Sequence, residues 1–318
     1  MGWGEICRAA RGLAFWGMCC TLPVAACSWA GAAEALAPTG AMLEQNASIP
    51  VSGIGIFGGE VNMVTRVFLP EGPGPFPVVL FSHGRAPDQA GRARLRQPLA
   101  RDHARFWVEK GFAVVAPIRP GYGETGGEDR ESSRFGYRAP GACASSSGYR
   151  HVAQSASEAI AAALAWIRLQ PWARAHDILL EGQSVGGLAT VAAIATKPDG
   201  VRAYINFAGG TGGDPVHHPG NSCDPEQLAA LYADFGKTTV APGLWVYALN
   251  DQFWGADVPV VWFDSFAAGG SPARFLHAPA VPDGDGHGLS RHERAYWAPY
   301  IDAFLRQLAT DYRVRFDE

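Results

Sequence analysis

The run Gly182-Gln183-Ser184-Val185-Gly186 has the composition of a turn that presents a hydroxyl. Ile178-Leu179-Leu180 precedes it as a short apolar strand, and the small-residue run Gly187 to Ala193 follows as a helix. A nucleophile in such a turn takes a strained backbone that lifts its Oγ clear of the sheet, which requires flanking positions without bulky side chains. The bland alternative is a glycine-rich turn with an incidental serine. A serine hydroxyl is a weak nucleophile near neutral pH and needs a base within hydrogen-bond reach, oriented by a carboxylate. With a nucleophile so placed, acid and histidine follow downstream in that order. Asp251 follows the apolar run Leu244 to Leu249, and His287 sits in the flexible turn Asp283-Gly284-Asp285-Gly286-His287-Gly288. The competitors for the base are His277, which reads as a packed histidine in the last strand, and His292, which falls in the first turn of the final helix. Those for the acid are Asp283 and Asp285, near enough to touch His287 locally, and Asp264 in an expected helix. His217 and His218 precede the acid and break the order.

Acyl transfer also needs donors aimed at a developing oxyanion. The backbone N–H groups of Val185, after the nucleophile, and of Arg85, after the strand Val78 to Ser82, are the candidates. Gly84 lets the chain turn inward there, and His83 reads as a structural hydrogen-bonding group beneath the site. Tyr122, Phe253 and Trp254 are candidates for lining a substrate cleft, each equally compatible with ordinary packing, as is Trp262. Ser82 and Ser290 read as structural. No CxxC, HExxH or clustered His/Cys spacing occurs, and neighbours such as His217-His218 seldom face one metal, so neither metal nor cofactor is expected.

The elements around these residues follow an α/β pattern. From Ile49 onward β-rich runs alternate with helical ones. Ile49 to Phe57 and Asn62 to Leu69 form a strand pair turning at Gly58-Gly59. Val78–Ser82, Phe112–Ala116, Ile178–Leu180, Ala203–Phe207, Leu244–Leu249 and Arg274–His277 then read as strands buried on both faces. Val152, Ala156, Ile160, Ala163 and Ile167 recur at helical spacing within Tyr149 to Leu169. Ser290-Arg291-His292-Glu293 has a capping-box pattern and predicts the start of the last helix, with Trp297, Ile301, Phe304, Leu305 and Leu308 on one stripe. Ile118–Gly148 and Ala208–Pro242 are long irregular stretches, the second with a helix over Pro225 to Phe235. About 36 residues separate Phe207 from Leu244, too few for a large cap domain. An open cleft is expected.

The chain has 318 residues, 47% of them hydrophobic, and a formal charge of −4 from 26 basic and 30 acidic side chains without like-charge runs. That excludes nucleic acid as the main partner, and no obligatory protein partner is evident. Arg8 and Arg11 precede an uncharged stretch from Gly12 to Ala33, so residues 1–35 read as a signal peptide for export to the periplasm or medium, with 36–318 as one domain. A retained membrane anchor is the alternative. Val24-Ala25-Ala26-Cys27 also resembles a lipobox, which would place a lipid anchor at Cys27. Export leaves Cys143 and Cys223 of the six cysteines as a candidate disulfide, since loops leaving the carboxyl edge of a parallel sheet can meet.

From about Val78 to Leu308 the sequence resembles the α/β-hydrolase superfamily, and within it the dienelactone-hydrolase-like branch. The features that carry the resemblance are Ser82-His83-Gly84, Arg119-Pro120-Gly121-Tyr122-Gly123, Gly182-Gln183-Ser184-Val185-Gly186-Gly187, Asn250-Asp251 and Gly286-His287-Gly288. The resemblance implies a mostly parallel central sheet flanked by helices and a cofactor-free hydrolase of small esters or lactones. It carries a catalytic triad onto Ser184, Asp251 and His287. Dienelactone hydrolases use cysteine where this chain has Ser184, which turns the expectation toward general carboxylic-ester hydrolysis. A serine aminopeptidase of the prolyl-oligopeptidase type is the rival enzyme, and a catalytically silent envelope binding protein is the rival from another class.

Overall fold

The structure is a computed structural model describing residues 42–54, 58–131 and 148–316. The chain divides into a unit over Met1–Ala37, outside the described residues, and one over Pro38–Glu318, to which everything below belongs. The expected signal segment, the Cys27 anchor and Cys143 therefore lie outside the described residues. Among the described residues no helix is long and apolar enough to cross a membrane.

In chain order the strands and helices are β1 (Met42–Ile54), β2 (Gly59–Pro70), β3 (Phe76–Ser82), α1 (Gln89–Ala93), α2 (Arg101–Glu109), β4 (Ala113–Pro117), α3 (Tyr149–Ile167), β5 (Ala173–Gln183), α4 (Val185–Ala195), β6 (Val201–Phe207), β7 (Gly213–Asp214), β8 (His218–Ser222), α5 (Pro225–Gly236), β9 (Gly243–Ala248), α6 (Val258–Ala267), β10 (Ala273–Ala278) and α7 (Ala298–Asp311). Two 3₁₀ turns, Gly286–Arg291 and Arg294–Tyr296, lie between β10 and α7. The main sheet runs β1-β2-β4-β3-β5-β6-β9-β10. The pairs from β4 to β10 are parallel, while β1 and β2 form an antiparallel edge.

Strand alternation builds a core on each face. Val78 and Leu80 of β3 pack with Val152, Ile160 and Leu188 from α3 and α4. Val79 and Phe81 pack on the other face with Phe106 and Trp107 of α2 and Ile301 and Phe304 of α7. The predicted α3 stripe is buried throughout, and truncating a core member such as Ile160 to Ala would cost about 2–5 kcal/mol.

After β3 the chain crosses to β4 on one side, and β5 then pairs on the other side of β3. An open parallel sheet has its crevice where the direction of winding reverses, at the carboxyl ends of the strands. Here that point lies between the ends of β3 and β5.

Two expectations are corrected. The final helix begins at Ala298, with Pro299 in its first turn, rather than at Ser290. Ser290 is buried and its carbonyl accepts from His103 Nδ1 at 3.0 Å, so the proposed cap lies inside a 3₁₀ turn and His292 is outside the helix. His277 is not packed in the core: β10 is the sheet edge, and His277 is exposed there with Nε2 2.9 Å from the Ala256 carbonyl.

Candidate active site

β5 delivers Ser184 at the reversal point. Its backbone adopts φ 57° and ψ −124°, a conformation that costs a side-chain-bearing residue on the order of 1–3 kcal/mol. The surroundings hold it there. Ser184 N–H donates to Phe207 O at 2.9 Å, and Ser184 O accepts from Leu188 N at 3.0 Å and from Gly210 N at 3.2 Å. A Cβ at Gly182 would collide with the Gly186 carbonyl, and one at Gly186 with the carbonyls of Ser82 and His83. Both flanking glycines are thus required by contact.

Asp251 follows β9 and is buried, with Oδ1 accepting from the N–H groups of Phe253 at 2.8 Å and Trp254 at 3.0 Å. Its other oxygen, Oδ2, faces His287 Nδ1 at 3.1 Å. The imidazole stacks on Phe253, with ring centroids 4.0 Å apart, and meets Trp254 edge-on at 5.4 Å. Asp285 does not compete for the ring. Its Oδ1 accepts from His287 N and Gln252 N, both at 2.9 Å, so it joins the two loops through backbone instead. Asp283 is exposed, and Asp264 lies on α6. Gln183 adds a tie from Nε2 to the His287 carbonyl at 3.0 Å.

Ser184, His287 and Phe253 line one cavity of about 360 Å³ with His83, Gly84, Arg85, Leu99 and Arg291. Gly84 runs beside the serine: a Cβ there would lie 3.2 Å from Ser184 Cβ. Val185 opens α4, where the first N–H groups have no intrahelical acceptor. Among the described residues neither the Val185 nor the Arg85 N–H has a hydrogen-bond partner.

Arg119 and Glu131 shape this wall, and neither was singled out as a site residue from sequence. Arg119 is buried and donates through Nη1 to the His83 carbonyl at 2.5 Å and to Ser82 Oγ at 3.1 Å, and through Nη2 to Gly84 O at 3.5 Å. Its Nε and Nη2 are paired with Glu131 at 2.5 and 3.2 Å. These bonds hold the His83 and Gly84 carbonyls, and so fix the two peptide units that carry the Gly84 and Arg85 N–H groups. Burial pushes the Glu131 carboxyl up, but the Arg119 guanidinium outweighs it and holds the group below its ordinary 4.5. The one legible signal was the Arg119-Pro120-Gly121-Tyr122-Gly123 run; Glu131 had none.

His83 accepts from Arg119 N at Nε2 (3.1 Å) and lies 2.7 Å from Gly84 O at Nδ1. Burial first, and the Arg119 charge second, hold it well below its usual pKa, so it is a neutral hydrogen-bonding post. Two expected lining residues are corrected. Tyr122 is buried, its hydroxyl donating to Glu131 Oε2 at 2.5 Å, because the Arg119 network captures it. Trp254 is buried with Nε1 donating to Ala208 O at 2.8 Å, and Trp262 likewise to Pro225 O at 3.0 Å. Phe253 alone of the three named lining residues faces the cavity. Cys223 donates its backbone N–H to Gly212 O at 2.8 Å, beside the β7–β8 hairpin.

A model of the X-Pro dipeptidyl-peptidase family (S15) matches residues 58–242. No curated protein matches the sequence significantly. Among solved structures the chain is similar to a Klebsiella pneumoniae protein assigned to the dienelactone hydrolases, at 19% identity and TM-score 0.53 over 85% of this chain and 98% of that one. It is similar to the acylaminoacyl peptidase of Pyrococcus horikoshii at 18% identity and TM-score 0.58, over 86% of this chain and 43% of that one. Likeness to the Pyrococcus furiosus esterase Pf2001 stands at 11% identity and TM-score 0.54, over 84% and 91% of the two chains. The chain thus spans less than half of the acylaminoacyl peptidase. These likenesses establish the α/β-hydrolase fold.

Proposed function

The chain belongs to the X-Pro dipeptidyl-peptidase (S15) family, and from that premise we propose that it is a serine hydrolase cleaving carboxylic esters through an acyl-enzyme. Its proposed groups are Ser184 as nucleophile, His287 as general base and Asp251 as the carboxylate that orients it. The observation that carries the reading is the line from Asp251 Oδ2 to His287 Nδ1, in a cavity that Ser184 also lines on a strained turn.

In this reading Ser184 Oγ attacks the ester carbonyl while His287 Nε2 takes its proton. Asp251 stabilises the resulting imidazolium, and the N–H groups of Val185 and Arg85 receive the oxyanion. Collapse of the tetrahedral intermediate breaks the bond to the alcohol, which leaves with the proton from His287. Water, deprotonated by the same imidazole, then releases the acid and regenerates Ser184.

Peptide cleavage is the second reading, favoured by the family match and by the acylaminoacyl peptidase likeness. A peptidase that trims dipeptides must hold a substrate's α-ammonium, which calls for a carboxylate in the cavity. Among the described lining residues there is no Asp or Glu, and two arginines, Arg85 and Arg291, are present. Arg85 is spent on Asp129, at 2.7 and 2.6 Å, while Arg291 is exposed at the rim. This favours neutral or anionic substrates. The test is kcat/KM for p-nitrophenyl acetate and butyrate against Ala-Pro and Gly-Pro p-nitroanilides. Esters are expected to exceed the anilides by at least a hundredfold, about 2.7 kcal/mol in transition-state binding. Faster cleavage of the Xaa-Pro anilides would overturn the ester reading and leave the serine mechanism standing.

A further inference from the structure

Behind the site, on the α2 and α7 face of the sheet, lies a buried pair that the proposed mechanism does not use. Glu181 precedes the nucleophile turn on β5 and is fully buried, as is His103 on α2. His103 Nε2 lies 2.7 Å from Glu181 Oε1. Its Nδ1 lies 3.0 Å from the carbonyl of Ser290, in the same 3₁₀ turn as His287. Glu181 Oε2 accepts from Trp107 Nε1 at 2.7 Å.

Counting protons decides the state of the pair. A carbonyl oxygen can only accept, so Nδ1 carries a hydrogen. Nε2 and Oε1, at 2.7 Å and out of good hydrogen-bond alignment, would repel through their lone pairs unless a proton lay on one of them. The pair therefore holds one proton more than a neutral imidazole with a free carboxylate. The indole N–H on Oε2 favours leaving the negative charge on Glu181, which puts the proton on His103.

The geometry assigns His103 as a positioning residue: an imidazolium that latches the His287 turn, through the Ser290 carbonyl, to the strand that bears Ser184, through Glu181. The inference rests on the proposed roles of Ser184 and His287. The charged groups that act on His103 are Glu181 from β5, in contact with it, and the exposed Asp102 from its own helix, through its charge alone. Its other neighbours are aromatic: Trp297 stacked at 4.0 Å, and Phe81, Phe106 and Phe207 at 6.0 to 6.5 Å. Burial pulls the imidazole pKa down, but Glu181, and then the Ser290 carbonyl and Asp102, raise it above the ordinary 6.5. Losing the proton would leave an uncompensated negative charge among those rings. The sign follows: the stabilisation is complete below pH 6.5 and is lost as pH rises through the folded-state titration.

Nitrogen-15 NMR of the imidazoles of the full chain tests this directly. At about pH 8, where an ordinary imidazole is neutral, His103 should show both ring nitrogens protonated. In Glu181→Gln its titration should fall by at least about one pH unit. On p-nitrophenyl acetate, kcat should decline as pH rises through the His103 titration, with KM changing less, and in Glu181→Gln that decline should move to lower pH with the imidazole. A neutral His103 at pH 8 in the wild-type protein overturns the inference, whether or not the variant folds. So does a shifted titration with an unshifted kcat profile. If the chain hydrolysed no ester at all, the proposed function would fail while the NMR result still reported on the pair.

Discussion

Replacing Asp251 by Asn tests the orientation of His287 more sharply than removing the carboxylate altogether. Oδ1 of Asp251 is fixed by two backbone donors, Phe253 N–H at 2.8 Å and Trp254 N–H at 3.0 Å. An asparagine must keep its oxygen on those donors, because its amide cannot accept from them, so its NH₂ takes the place of Oδ2 opposite His287 Nδ1. Nδ1 then becomes the acceptor and Nε2 carries the hydrogen, which leaves the imidazole without a lone pair for the Ser184 proton. The wrong tautomer in a triad of this kind costs about ten-thousandfold in kcat, or about 5.5 kcal/mol. No neighbour stands ready to compensate. Asp285 is committed to His287 N and Gln252 N, and Asp283 is exposed. Asp285→Asn keeps an oxygen for both donors and should be nearly silent, whereas Asp285→Ala strands them at a cost of about 1–3 kcal/mol in stability. The assay is kcat on p-nitrophenyl acetate for each variant, with melting temperature as the folding control. A folded Asp251→Asn that keeps more than a tenth of wild-type kcat would refute the tautomer argument, and an inactive Asp285→Asn would move the role to that residue.

Three further expectations follow from the contacts around the cavity. Glu131 is held below 4.5, so its pairing contributes stability above that pH and loses it as pH falls through the folded-state value; Glu131→Gln should flatten the acid limb of a stability-versus-pH curve, and an unchanged limb would contradict the pairing. Arg119→Met strips buried Glu131 of its closest cation, leaving only the Tyr122 hydroxyl and Arg85 Nη1 at 3.5 Å, and should cost on the order of 3 kcal/mol in denaturant unfolding, with a fall in kcat among whatever folded protein remains; wild-type stability would show the network to be idle. A disulfide between Cys143 and Cys223 is proposed, and closing a ring of about 80 residues would stabilise the fold by on the order of 4 kcal/mol in the chain-entropy model. Mass spectrometry of non-reduced protein should show the cross-linked peptide, and two freely alkylated thiols would rule the bridge out.

What the sequence disclosed was local and periodic. The unbroken apolar run of β3, buried on both faces, and the helical stripe of α3 state their burial in the side chains themselves, and Gly182-Gln183-Ser184-Val185-Gly186 declares its turn because both flanking glycines meet carbonyls. The start of α7 misled because Ser290 and Glu293 have the right spacing for a cap, while the Ser290 carbonyl is drawn instead to His103, far away in sequence. Tyr122 and Trp254 misled for a related reason. An aromatic ring suits a cleft or a core equally well, and their partners, Glu131 Oε2 and the Ala208 carbonyl, are fixed by tertiary structure. Arg119 with Glu131 and His103 with Glu181 were equally illegible as pairs, since a buried ion pair leaves no periodicity in the chain.

The central claim is that Ser184 is the nucleophile, and covalent labelling reads it without assuming a substrate. Treated with a fluorophosphonate probe at neutral pH, the protein should take up one equivalent, and digestion should place the label on the peptide containing Ser184. Ser184→Ala should take up none while melting like the wild type. A label on another serine, or undiminished labelling of Ser184→Ala, would contradict the account.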